Sequence, residues 1–253
     1  MTDSLPTALE EAVRVCVAAA DEGITVRMAG GLAIQYLTPE FPPRGGGGQD
    51  LDLAIQSGDR RPLTQFLAAH GYVGDKNFNA LYGHKQLYFR SAETQRSLDV
   101  LVDRLHMCHT VEFKGRLGRM PVTLDLADLL LTKLQIVELN EKDAQDVLYL
   151  CSAYPVREGD EPGTIGLDRI RPIVGNDWGW WRTVTLNLEK IMALAGGHGR
   201  ALVPEGGKHE AVEQLRVLST AVETAPKSLR WKARAKVGER IRWYEMPEET
   251  PHH

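Results

Sequence analysis

Asp50 and Asp52 stand one residue apart in Asp50-Leu51-Asp52-Leu53-Ala54-Ile55, a run with strand character. On a strand, side chains two apart share a face, so both carboxylates point one way while Leu51, Leu53 and Ile55 point the other. Paired carboxylates repel unless a proton or cation sits between them, and Mg²⁺ takes just such hard oxygen ligands. A solvated strand edge carries the same pattern, so the pair needs company to mean anything. Upstream, the β-branched stretch Ile24-Thr25-Val26-Arg27-Met28 reads as a strand that turns at Ala29-Gly30-Gly31 into a short helix, Leu32 to Leu37. Glycines there are either an ordinary tight turn or a place where backbone N–H groups approach a phosphate at a helix N-terminus. Downstream, Asp99 lies inside the otherwise apolar strand Leu98-Asp99-Val100-Leu101-Val102, where an unpaired carboxylate is costly. Its relief is the same metal site or an arginine such as Arg90, and Asp103 at the strand end is the same-face alternative. Three carboxylates on neighbouring strands, facing a glycine-glycine turn, describe a site for a metal and a triphosphate.

The elements that must position these residues follow from periodicity. Residues 7–22 repeat apolar positions at helical spacing, with Thr7 as cap and Gly23 as stop. Residues 38–49, with three prolines and four consecutive glycines, read as a mobile loop. A helix over Arg61–His70 precedes two strands, His84–Arg90 and Ser97–Asp103, and Val111–Phe113 with Met120–Thr123 suggests a hairpin. Beyond that the pattern turns helical. Leu126–Leu139 and Lys142–Cys151 are predicted helices broken at Asn140, and Tyr154–Thr164 and Gly196–Lys208 are predicted loops. The fold class expected is α+β: a small mixed β-sheet domain flanked by helices over residues 1–124, then a helical domain over 125–253.

Composition sets the outer limits. The chain has 253 residues, 43% hydrophobic and 25% charged, enough to bury a core without staples. Cys16, Cys108 and Cys151 are odd in number and far apart, which argues against a disulfide framework and for a reducing cytoplasm. No apolar run reaches the length of a membrane helix, and Met1-Thr2-Asp3-Ser4 lacks the basic start of a signal peptide. The formal charge of −4 is uneven. Residues 1–226 carry a net −7, residues 227–243 carry seven basic side chains against Glu239, and the last ten residues add three glutamates. A segregated cationic stretch of this kind suits a polyanion such as RNA or a solvated surface, with Arg230, Lys232, Arg234 and Lys236 as candidate contacts.

Taken together, Gly30-Gly31, Asp50-x-Asp52 and Asp99 resemble the nucleotidyltransferase superfamily related to DNA polymerase β. The stretch Leu126-Ala127-Asp128-Leu129-Leu130-Leu131-Thr132-Lys133-Leu134, followed by Lys142-Asp143-Ala144-Gln145-Asp146-Val147, is similar to the helix pair of the minimal and abortive-infection branches, which include type IV toxins. The similarity covers roughly residues 20–152. The chain departs from the family in its longer glycine loop, with Arg44 six residues ahead of Asp50.

The resemblance implies an Mg²⁺-dependent enzyme that moves an NMP from an NTP to an acceptor hydroxyl. Asp50, Asp52 and Asp99 would hold two Mg²⁺ ions, and Asp99 would also help deprotonate the acceptor. Gly30, Gly31 and Lys133 would contact the nucleotide, and Asp143 and Asp146 would close the site or pair with Lys133. The type IV toxin branch implies a tRNA acceptor and a cognate antitoxin. A small-molecule acceptor of the aminoglycoside kind, or a catalytically degenerate nucleotide- or partner-binding module, are the alternatives.

Other features point less far. Gly45–Gly48 is no P-loop, because no Gly-Lys-Ser/Thr follows. His106-Met107-Cys108-His109 offers three soft-metal ligands without a second cluster to complete a zinc site. Trp178-Gly179-Trp180-Trp181 reads as helix packing rather than base stacking.

Overall fold

The computed structural model describes residues 5–43, 50–197 and 202–246. Arg44, the glycines at 45–48 and Pro251-His252-His253 lie outside them. The chain divides into two compact units: Met1–Leu105 with Glu112–Asp125, and His106–Val111 with Leu126–His253.

The first unit is mixed α+β. Helix α1 (Ala8–Asp21) opens on a capping box, in which the Thr7 hydroxyl accepts from the Glu10 amide and the Glu10 carboxylate accepts from the Thr7 amide. It buries Ala8, Glu11, Ala12, Val15, Cys16 and Ala19, the spacing of one helix face. Strand β1 is only Arg27–Met28, and α2 (Gly30–Leu37) follows at once. Then come β2 (Leu51–Ile55), α3 (Arg60–Ala69), β3 (Tyr72–Gly74), α4 (Lys76–Tyr82), β4 (Gln86–Ser91) and β5 (Ser97–Val102). The five strands form one sheet in the order β1-β2-β5-β4-β3. Only β2 and β5 are parallel; the other pairings are antiparallel.

Two details differ from the sequence expectation. The elements β3 and α4 were not foreseen, since three and seven residues are too short to show a period. Met120–Thr123 is no strand and no hairpin partner of Val111. Instead Thr123 bridges Met28, with the Met28 amide donating to Val122 O and the Leu124 amide to Met28 O, which borders the sheet beyond β1. Arg116 and Arg119 anchor this segment on the buried Asp125, each at 3.1 Å.

Short strands β6 (Arg104–His106) and β7 (Thr110–Glu112) follow β5 in the chain. The second unit is mostly helical and is built round α5 (Leu126–Leu134), every residue of which is buried. Helices α6 (Glu141–Ala153), α7 (Leu167–Asn176) and α8 (Trp178–Gly196) pack on it, as does β9 (Ile165–Gly166), which pairs in parallel with β8 (Val156–Arg157). Strand β8 lies within the stretch Tyr154–Thr164 expected to be loop, and β9 begins directly after it. Helices α9 (Ala211–Thr224) and α10 (Leu229–Ala235) complete the unit. Helix α5 stops at Leu134, short of the expected Leu139, because the Asn187 amide donates to the carbonyls of Leu134 and Ile136 and so satisfies the helix end. Asn140 then caps α6 by accepting from the Asp143 amide. Among the described residues no helix is long and apolar enough to cross a membrane.

Candidate active site

The site in the first unit starts from one backbone contact. The Ala29 amide donates to the Asp52 carbonyl at 2.7 Å, which fixes the turn between β1 and α2 against β2. Gly30 is the first residue of α2 and has φ +62, the left-handed region that glycine enters without a Cβ penalty. A Cβ built there would collide with Asp52 Oδ2 and lie 3.0 Å from its Cγ. Ala29 has no side chain that can cap the first amides of α2. An uncapped helix N-terminus beside a carboxylate is a pairing that suits a metal-bound phosphate.

Asp52 and Asp99 are register partners on the parallel strands β2 and β5, both half-buried, with Leu51, Leu53, Leu98 and Val100 buried on either side. Neighbouring strands lie about 4.8 Å apart, so two carboxylates in register face the same space. The Gln86 side-chain amide donates to Asp99 Oδ1 at 2.7 Å and holds that carboxylate in place. Gln86 was not among the expected site residues; the antiparallel pairing of β4 with β5 brings it to Asp99.

Asp50 precedes β2 and is exposed, outside the strand that was expected to carry both members of the pair. Asp103 has φ +64 and accepts from the Ser57 amide at 2.8 Å, so it is a turn residue that caps the short 3₁₀ helix Ser57–Asp59. Among the described residues no group of three or more His, Cys, Asp and Glu side chains is gathered as a metal cluster. The donor set is thus two hard carboxylates in register, Asp50 at the strand mouth, and the cradle over Gly30. Mg²⁺ is commonly held by one or two carboxylates together with substrate phosphates and water, and this arrangement fits it.

The remaining expected residues fall in the second unit. Lys133 is buried in α5, and its ammonium lies 2.8 Å from Asp143 Oδ1 and 2.9 Å from Asp146 Oδ2 on α6. Burial alone would push the Lys133 ammonium down, but Asp146 and Asp143 carry it above the ordinary lysine value. The three side chains bind α5 to α6 through charge. A second pair, the half-buried Arg169 with the buried Asp128 at 2.7 Å, ties α5 to α7.

The basic segment is not one long helix. Arg230, Lys232 and Lys236 are exposed. Arg234 turns back instead, donating to the carbonyls of Gly238 at 2.6 Å and Ile241 at 2.7 Å, with its guanidinium 4.9 Å from the Trp178 ring centre. Lys227 sits over Trp181 and Trp231, and burial lowers its pKa. Trp178 and Trp180 are buried at the start of α8, in line with helix packing. The histidine-cysteine cluster is engaged in the fold: His106 contacts Thr110 and Glu245, Cys108 Sγ accepts from the Val137 amide, and His109 Nε2 meets Thr183 Oγ1 at 2.8 Å.

No protein-family model matches the chain, and no curated protein is similar to it in sequence. Among solved structures, it is similar to an antigenic nucleotidyltransferase-like protein from Paracoccidioides brasiliensis, at 14% identity and a TM-score of 0.43 over 87% of this chain and 94% of that one. It is also similar to ANT(2″)-Ia in complex with adenylyl-2″-tobramycin, at 14% identity and a TM-score of 0.40 over 58% of this chain and 89% of that one. A third, the STING-associated CdnE c-di-GMP synthase from Capnocytophaga granulosa, is 12% identical with a TM-score of 0.28, over 90% of this chain and 85% of that one.

Proposed function

We propose that this chain is a nucleotidyltransferase whose first unit transfers an NMP from an NTP to an acceptor hydroxyl. The observation that carries the reading is the juxtaposition of Gly30, Asp52 and Asp99: a glycine cradle, an uncapped helix start and two carboxylates in register. Asp52 and Asp99, with Asp50 at the strand mouth, would hold Mg²⁺. Bound there, the metal would neutralise triphosphate charge and stabilise the entering and leaving oxygens.

The residues of the chain divide the remaining work. The amides at the start of α2 receive phosphate oxygens beside the Asp52 carboxylate, which the missing Cβ of Gly30 lets come close. Asp99, steadied by Gln86, accepts the proton of the acceptor hydroxyl as its oxygen attacks the α-phosphorus. The bond to the bridging oxygen breaks, and pyrophosphate leaves. In this reading the first unit is the catalytic domain and the second the helical domain.

For the acceptor, the exposed cations Arg230, Lys232 and Lys236 favour RNA, with tRNA as the acceptor to test first. The test incubates each α-³²P-labelled NTP with Mg²⁺ and total tRNA, comparing wild type with Asp52→Ala. Label on tRNA that vanishes in the variant is the expected result. Pyrophosphate release with an aminoglycoside, and none with tRNA, would move the acceptor to the small-molecule class. Mg²⁺-dependent NTP binding without transfer to any acceptor would overturn the enzymatic reading.

A further inference from the structure

The second unit holds a cavity of about 650 Å³ that the reading above does not use. It is lined by Arg230, Arg234 and Arg242, by Trp178, Trp180, Trp243 and Tyr244, and by the polar edge of His106, Asp177 and Glu245. Its size falls within the range of small-ligand sites. Two of its arginines sit over two of its rings: Arg234 at 4.9 Å from the Trp178 centre and Arg242 at 5.6 Å from the Tyr244 centre. Its two carboxylates are engaged. Asp177 accepts from the Gly179 and Trp180 amides as the cap of α8, and Glu245 lies 3.0 Å from His106 Nε2. His109, stacked on Trp180 at 5.0 Å, is held neutral because burial pushes its imidazole down to about 4. Among the described residues no ion pair engages Arg230 or Arg242, both of which are exposed.

Cations beside aromatic and guanidinium planes are what a planar, anionic ligand needs. Bases stack on aromatic rings and on Arg planes, and phosphates accept bidentate Arg hydrogen bonds. We propose that this cavity seats one nucleoside monophosphate unit, its base against the Arg234 guanidinium and the Tyr244–Arg242 pair and its phosphate on Arg230 and Arg242. The unit comes either from a free mononucleotide or from the 5′-phosphorylated end of a single-stranded RNA. The site is built wholly from the second unit and does not depend on transfer in the first.

All five tryptophans, Trp178, Trp180, Trp181, Trp231 and Trp243, lie in this unit, so intrinsic tryptophan fluorescence reports on it directly. The experiment titrates full-length Asp52→Ala protein in EDTA, which separates binding here from Mg²⁺-dependent nucleotide binding. The probes are the four nucleoside 5′-monophosphates, a 5′-phosphorylated RNA pentamer, and inorganic phosphate. Saturable quenching by a mononucleotide or by the pentamer is expected, and which of the two binds identifies the source. The added double substitution R230Q/R242Q should weaken that binding at least about tenfold, the loss expected for charge-assisted hydrogen bonds. R61Q, on an exposed arginine of the first unit, should leave it unchanged, and unaltered circular dichroism shows that the variants stay folded. Equal quenching by inorganic phosphate, insensitivity to R230Q/R242Q, or no quenching by either nucleotide probe would each overturn the proposal.

Discussion

The Asp52 carboxylate occupies the space that any side chain on residue 30 would need. Gly30 therefore answers two demands at once: a left-handed backbone at the strand-to-helix turn, and room for an acidic side chain from β2. The first demand costs an L-residue about 1–2 kcal/mol. The second cannot be met without moving Asp52. Gly30→Ala should thus lower transfer at least about 100-fold. Gly23→Ala is the matched control, since Gly23 has φ +76 and open space where its Cβ would be. Its loss in thermal unfolding should be similar to the backbone part of the Gly30→Ala loss, with transfer unchanged. Equal activity in both variants would mean that the Gly30–Asp52 contact is only a packing detail.

Asp52 and Asp99 are like charges in register on parallel strands, an arrangement that destabilises a sheet. Asp52→Asn keeps the shape and removes one charge, so its melting temperature without Mg²⁺ should be no lower than that of the wild type, while transfer falls at least about 100-fold. This is the signature of a site that gives up stability for function. A variant that loses stability along with activity would indicate that Asp52 serves the sheet.

These residues were legible in the sequence because each sits in a context that contradicts it: acids inside apolar strands, glycines where a strand meets a helix. Asp50 was read as the equal of Asp52 because strand boundaries cannot be placed to one residue, and β2 begins at Leu51. The role of Gln86 was invisible, since only the pairing of β4 with β5 brings it to Asp99. Lys133, Asp143 and Asp146 were legible as a group. The burial of Lys133 depends on α5 being enclosed on every side, which its run of leucines announces less clearly than a one-faced helix would. The arginine and tryptophan cavity of the second unit gathers residues from 106 to 245, a separation no local pattern encodes.

Lys133 tests the difference between a structural and a ligand-binding ammonium. Lys133→Met would take the Lys133 ammonium away from the buried Asp143 and Asp146, a loss of about 3–5 kcal/mol. Adding Asp143→Asn and Asp146→Asn should recover most of it, because the two carboxylate charges go too. Chemical denaturation of the single and triple variants reads both steps. Full stability in Lys133→Met together with weakened nucleotide binding would assign the ammonium to phosphate instead.

His109 gives the second unit a dependence on pH whose sign is fixed by burial. Its imidazole is pushed down from 6.5 to about 4 because the ring is buried, with Asp177 and Glu245 opposing only in part. The unfolded chain therefore binds a proton at pH values where the folded chain does not. The stability lost through His109 begins as pH falls below about 6.5, grows by at most about 1.4 kcal/mol per unit, and levels off near pH 4 at about 3 kcal/mol. His109→Gln keeps a polar group near Thr183 Oγ1 but cannot titrate. At pH 7 it should be the less stable protein, through the lost stack on Trp180. Between pH 6.5 and 4 its unfolding free energy should fall less steeply than that of the wild type, and the two curves should converge. Parallel curves across that window would show that the ring takes up its proton without leaving its place.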